Sequence, residues 1–349
     1  MAENATHNMH NILTLRGAVV RDTRVWAHYL DETITLFGDR GEVAFASHHW
    51  PTWGRERIVE HLARPAGHVG VPSRPDLRMT YQGLTGTEIA ERMVLPPAIA
   101  NRWANRRQYG SVSHNVKAIY QRYMGWFDGN PARLWEHPPV EQAKRFAADY
   151  GGVSALIAKG EEYAASGDLR FAATLLGHAV FAAPEDNAAE RALASVYEKL
   201  GYGAENGTWR NFYLMGAQEL RGTVAHTALE TTNPEMAMAL TVDMPIDSLA
   251  IRVDGPRAWD EKLTMDWNVT DAGRTWGLLL SNGALIHRST ATETDGPVPA
   301  ADRALTLTER QLLAVLAGKG LDGVHVQGDP QVLTTLLDTP HPDFAVVTP

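Results

Sequence analysis

Residues 64–76, Arg-Pro-Ala-Gly-His-Val-Gly-Val-Pro-Ser-Arg-Pro-Asp, put three prolines and two glycines into thirteen positions. Each proline lacks an amide donor and crowds the carbonyl four residues back, and each glycine loses extra backbone entropy on ordering. The block therefore excludes a regular helix and reads as a linker between segments of different texture. Before it, residues 1–62 alternate helical and strand patterns. Trp26, Tyr29, Leu30, Ile34 and Phe37 share a helical face, Glu42 to Ala46 reads as a short buried strand, and Arg55 to Leu62 opens a helix. This is too little chain to close an α/β domain.

Beyond the block, residues 77–221 are helical in pattern. Thr85 and Thr87 open a helix that stops before Pro96-Pro97, and Val140 to Ala148, Ala155 to Ala165, Leu169 to Pro184 and Asn187 to Leu200 follow. Small residues at Ala164, Ala165, Ala172 and Ala173 permit close helix approach, a texture similar to tetratricopeptide units. From about Gly222 the chain turns to α+β. Met238 to Asp243, Ser248 to Asp254 and Leu263 to Val269 alternate as half-buried strands. Ser281-Asn282-Gly283 between two apolar runs predicts a type I′ hairpin, because Asn-Gly supplies the positive φ angles that turn requires. Helices are expected over Leu307 to Leu316 and Pro330 to Leu337.

A chain of 349 residues can bury several cores. Its net charge of -9, with no basic tract, argues against nucleic acid as a partner. With no cysteine, disulfides, thiolate metal sites and a cysteine nucleophile are all excluded. No apolar run is long enough to span a membrane. The first residues lack a basic stretch followed by an apolar core, so the expectation for the sequence as written is cytoplasmic.

The chemistry gathers around Ala46-Ser47-His48-His49-Trp50-Pro51-Thr52-Trp53-Gly54. An apolar run ending in imidazoles at a turn presents metal ligands on a rigid edge. Glu3 is an acidic candidate near the start. Hydrolytic zinc centres use about three protein ligands per ion, and these residues supply only part of such a set.

Several strings together resemble the bacterial linear alkyl sulfatases, hydrolases of dodecyl sulfate and related esters in the metallo-β-lactamase superfamily. They are Ser113-His114-Asn115, Tyr120-Gln-Arg-Tyr123-Met-Gly-Trp126-Phe127-Asp128-Gly129-Asn130-Pro131, Trp209-Arg210-Asn211-Phe212-Tyr213-Leu214, Thr14-Leu15-Arg16-Gly17-Ala18 and His48-His49-Trp50-Pro51. The resemblance implies a multidomain α+β chain. Residues 1–62 would be the remnant of a metallo-β-lactamase αβ/βα domain, 63–221 an all-α dimerisation domain and 222–349 a sterol-carrier-like domain. It also implies two zinc ions, a homodimer and an alkyl-chain ligand, in a parent that is periplasmic or secreted if exported. Carried over residue by residue, Glu3 and His48 match metal ligands, Asn11 and Arg16 match sulfate-binding residues, and Tyr123 is a further candidate sulfate contact.

Two departures qualify the match. The family's His-x-His-x-Asp-His zinc motif is absent from the sequence, so the chain is expected to be inactive alone, with a non-catalytic alkyl-binding dimer as the alternative. Where residues 64–76 stand, the family carries a helix rich in aromatic and charged residues. An out-of-frame reading with a compensating second shift is the expectation there. Among other residues, His49 reads as packing, His114 as a satisfied helix-start histidine, and Trp126-Phe127 as core or as a wall for an alkyl chain. His287, His325 and His341 read as structural, each lacking a second histidine at ligand spacing.

Overall fold

The computed structural model describes residues 1–15, 17–101, 103, 106, 108–224, 239–290, 301–337 and 347–349; the side chains of 64–74, 98, 99 and 332 are not described. Two compact units divide the chain, Met1–Ala225 with Ala345–Pro349, and His226–Phe344.

In the first unit, Asp22 caps helix α1 (Thr23–Phe37) by accepting from the amides of Arg24 and Val25. Trp26 and Leu30 on one face of α1 are buried with Ile58 and Leu62 of helix α2 (Arg55–Tyr81). The expected strand over Glu42 to Ala46 shrinks to two residues, β1 (Val43–Ala44), paired antiparallel with β2 (Thr52–Trp53). It is not buried. Val43 and Phe45 are exposed, because a two-residue ladder offers too little face for other elements to cover.

The linker reading of 64–76 is overturned, since α2 runs through the block without a break. Interior prolines cost a helix roughly 3 kcal/mol each and glycines about 1. Together these approach the roughly 5–15 kcal/mol that holds a whole domain folded. Tertiary anchoring at both ends outweighs that cost. Ile58 and Leu62 are fixed in the core at one end, Met79 packs beside buried Ile89 and Val116 at the other, and propagating a helix between fixed turns is easier than nucleating one. Asp76, on the same helix, is fully buried.

Helix α3 (Gly86–Arg92) opens with a capping box between Thr85 and Glu88. Helix α4 (Val112–Met124) starts at Ser111, whose hydroxyl accepts from the His114 amide. Trp126, just past its end, is 76% exposed, so the core reading of this residue is wrong. Gly125 turns the chain outward at a φ of 74°, which carries the indole off the unit. Helices α5 (Pro139–Asp149), α6 (Val153–Ser166), α7 (Leu169–Ala182), α8 (Asn187–Gly203) and α9 (Gly207–Leu220) follow. They enclose a core in which Leu156, Leu175, Leu176, Val180 and Leu193 lose all solvent contact.

The second unit is a five-stranded sheet of order β5-β4-β3-β6-β7. Its strands are β3 (Lys262–Val269), β4 (Arg274–Ser281), β5 (Ala284–Ser289), β6 (Ala304–Leu307) and β7 (His325–Gln327). Among the described strands, only β3 and β6 pair in parallel. Asn282 and Gly283, at φ of 52° and 74°, make the expected hairpin turn between β4 and β5. The strand expected over Ser248 to Asp254 is instead the end of helix α10 (Asp243–Arg252). The alternation Leu249, Ile251, Val253 misleads, because Ile251 is 85% exposed. The buried set is Val242, Ile246 and Leu249, spaced for a helix. Met238 and His341 lie outside the described residues. Helix α11 (Glu309–Leu316) has a Thr308–Gln311 capping box and packs Leu312 on the sheet core.

Candidate active site

The first residues form a loop tied down along its length. Ser47 donates to the Ala2 carbonyl, Trp26 Nε1 to the Asn4 carbonyl at 2.8 Å, and Arg21 to the Ile12 carbonyl. From α4, Asn115 clips the loop twice. Its amide donates to the His10 carbonyl and its Oδ1 accepts from the Ile12 amide, each at 3.0 Å. The His114 ring is engaged at both nitrogens, Nε2 donating to the Leu13 carbonyl at 2.7 Å and Nδ1 accepting from Trp209 Nε1 at 3.1 Å. The expected satisfied histidine is thus also a fastener for the loop. Gly110 closes from the other side, and a Cβ there would meet the His10 carbonyl at 2.6 Å.

So held, the loop brings Glu3, His10 and His48 together, with one potential ligand atom of each within 4.8 Å of the others. Glu3 Oε1 lies 3.5 Å from His48 Nε2, and Glu3 Oε2 lies 3.8 Å from His10 Nε2. Arg21 donates to Glu3 Oε2 at 2.7 Å and to both oxygens of Asn11, the carbonyl at 3.0 Å and Oδ1 at 3.1 Å. Partial burial pulls the Glu3 carboxyl upward, but the His48 hydrogen bond and the charges of His10, Arg21 and His48 hold it below its ordinary range. Burial lowers the proton affinity of His10. Neutral His10 donates from Nδ1 to the Asn11 carbonyl at 3.0 Å, which leaves Nε2 a bare lone pair.

Two atoms in this loop are buried without a hydrogen-bond partner, His10 Nε2 and Asn11 Nδ2. Burying an unpaired polar atom costs about 1–3 kcal/mol, and here an acceptor and a donor carry that cost beside a carboxylate and a second imidazole. Such a set suits a ligand with positive and negative parts. Two donors on one zinc ion stand roughly 3.3 Å apart, close to the Glu3 Oε1–His48 Nε2 separation, so the pair fits a metal. The Oε2 side, already facing the Arg21 guanidinium, suits an uncharged neighbour such as neutral His10.

Of the residues expected from sequence, Glu3, His48 and Asn11 therefore converge. Arg16 lies outside the described residues. Tyr123 lies on the last turn of α4 and is half-exposed, and among the described residues no hydrogen bond joins it to this group. His49 packs edge-on against His7 and Trp50. His287 sits between Asp247 and Asp243 of α10, 2.8 and 3.9 Å away. His325 is exposed on β7. His10 and Arg21 were missed as site residues. The signal was in the sequence, since Glu3, His7, His10 and Asn11 fall within nine residues.

Residues 85–223 match the alkyl sulfatase dimerisation family, and residues 230–349 the alkyl sulfatase C-terminal family. The chain belongs to the alkyl sulfatase family. The chain is 40% identical over 360 aligned residues to a linear primary-alkylsulfatase of Pseudomonas sp., with 100% of the chain and 52% of the relative covered. An (R)-specific secondary-alkylsulfatase of Pseudomonas sp. is 39% identical, with 100% and 53% covered. The solved structure of the stereoselective inverting sec-alkylsulfatase of Pseudomonas sp. superposes with a TM-score of 0.92 at 37% identity, covering 99% of this chain and 56% of that one. The chain thus spans about half the length of the curated relatives it matches. No described helix is long and apolar enough to cross a membrane.

Proposed function

We propose that this chain is the C-terminal portion of a zinc-dependent alkyl sulfatase that hydrolyses primary alkyl sulfate esters to alcohol and sulfate. The observation that carries the reading is the pair of unpartnered buried atoms, His10 Nε2 and Asn11 Nδ2, beside Glu3 and His48. Glu3 Oε1 and His48 Nε2 would hold zinc, which when bound supplies Lewis acidity and a water acidic enough to attack at neutral pH. Asn11 Nδ2 would donate to a sulfate oxygen. His10, neutral and shielded, would carry the proton exchanged with the ester or alcohol oxygen. Arg21 positions both ends of this arrangement, fixing the rotamers of Glu3 and Asn11 by direct bonds.

Two donors are too few for a stable zinc shell, and the sequence lacks the His-x-His-x-Asp-His motif. The chain alone therefore binds zinc weakly and turns over no ester. The first residues belong, in this reading, to a metallo-β-lactamase domain, helices α5–α9 to a tetratricopeptide-like core of a homodimer, and the second unit to a sterol-carrier-like module. In that module an apolar cleft lined by Leu249, Trp267, Val315, Leu316 and Leu333 would take the alkyl tail. The test is sulfate release from dodecyl sulfate with zinc present and after chelation. Chelator-sensitive turnover by the chain alone would refute its inactivity. Failure of His48→Ala to weaken zinc binding would refute the ligand assignment.

A further inference from the structure

We infer that residues 65–76 are a reading of the coding sequence displaced by one base, and that the helix selected for this place is free of proline. Three features of α2 converge on this. Its backbone is helical across Pro65, Pro72 and Pro75. Its apolar stripe, Ile58 and Leu62 before the block and Met79 after it, is cored at both ends. Asp76, fully buried between them, has both carboxylate oxygens without a hydrogen-bond partner among the described residues.

The genetic code allows a sharper statement. The second and third bases of each written codon, joined to the first base of the next, fix which residues a one-base shift permits. His68 and the G of the valine codon force Met or Thr at position 68. Val69 followed by glycine gives Leu, Ser, Trp or a stop, and Val71 followed by proline gives Phe, Tyr, Ser or Cys. Asp76 read one base on begins AT or AC, with its third base supplied where the frame is restored, and gives only Ile, Met or Thr. The codons of Pro65, Pro72 and Pro75 become Leu, Gln, Arg or Pro, with His replacing Gln in some contexts.

Leu, Trp or Ile thus become available at 65, 69, 72 and 76, which continues the stripe from Ile58 and Leu62 at helical spacing. At 76 the shift replaces an orphaned carboxylate with a methyl-bearing side chain, and a Thr hydroxyl there could bond the preceding helical turn. Shifting by two bases does the opposite. It leaves only Arg, Gly, Ser, Thr, Cys, Ala, Pro and Trp over positions 65–71, without one aliphatic side chain larger than Ala. The one-base frame alone restores an amphipathic helix.

Two measurements on the gene and the full chain test this. The nucleotide sequence across the block, read one base on, is expected to hold no stop and no proline, with apolar residues at 69 and 76. A stop codon there, or a proline at any of the three written proline positions, overturns the inference. A full chain carrying the displaced reading is expected to unfold at a midpoint higher by roughly 10 °C or more. An unchanged or lower midpoint overturns it independently of the gene sequence.

Discussion

His10 and Asn11 in the first loop and Asp76 in α2 all bury polar atoms without partners, yet their surroundings are opposite. The loop's orphans are a donor and an acceptor on a backbone that Asn115 of α4 holds at His10 and Ile12, and they stand beside Glu3, His48 and Arg21, with Arg21 bonded to Glu3. Asp76 is buried with neither carboxylate oxygen hydrogen-bonded among the described residues, on a helix that proline should have ended. Unpaired groups that converge mark a place built for a ligand. One that is isolated marks a cost without a return.

The largest effect expected to separate the two cases is at Asp76. Burial raises its carboxyl to about 7. Its folded value lies above the unfolded one, so stability is full below about pH 4 and falls as pH rises through about 7. The loss by pH 8 is on the order of 4 kcal/mol. Asp76→Thr should therefore raise the thermal midpoint strongly at pH 8 and hardly at pH 4. Equal shifts at both pH values would show that the carboxylate is not the fault. The second effect is on metal. His48→Ala or Glu3→Gln should weaken zinc binding by titration calorimetry about 100-fold or more, without loss of thermal stability in the metal-free chain. A smaller third effect belongs to Arg21→Lys. A point charge cannot bridge Glu3 and Asn11 as the fork does, so zinc affinity should fall roughly 10-fold at an unchanged unfolding midpoint. Last, Thr85→Ala removes half of a capping box and should cost about 1 kcal/mol in denaturant unfolding, a reference for an ordinary surface defect.

What could be read from sequence was local. Thr85 announces a helix start because its oxygen fills an amide the helix leaves open, and it is seen capping; Asp22, Asp168 and Asp186 cap in the same way without having been read as helix starts. Asn282-Gly283 likewise dictates its turn. Misreadings arose where packing decides. Ser248 to Asp254 alternates like a strand, but burial of Ile246 and Leu249 winds it into α10. Trp126 is apolar yet exposed, because the backbone at Gly125 sets its direction. The site was half legible. Glu3, His48 and Asn11 carry residue types that suit the chemistry, whereas His10 acquires its role from burial and a fixed tautomer, which only the folded loop supplies.

The grip of α4 on the first loop has a practical corollary. His114 and Asn115 hold Leu13, Ile12 and His10 by side-chain bonds to backbone, and Trp209 of α9 steadies His114 in turn. The ligand-bearing peptide is therefore a guest seated in the helical array, not an appendage of the strands that follow it. Cutting the molecule at the boundary where the dimerisation family begins would separate guest from seat, leaving helices with vacant sockets and a peptide with no shape of its own.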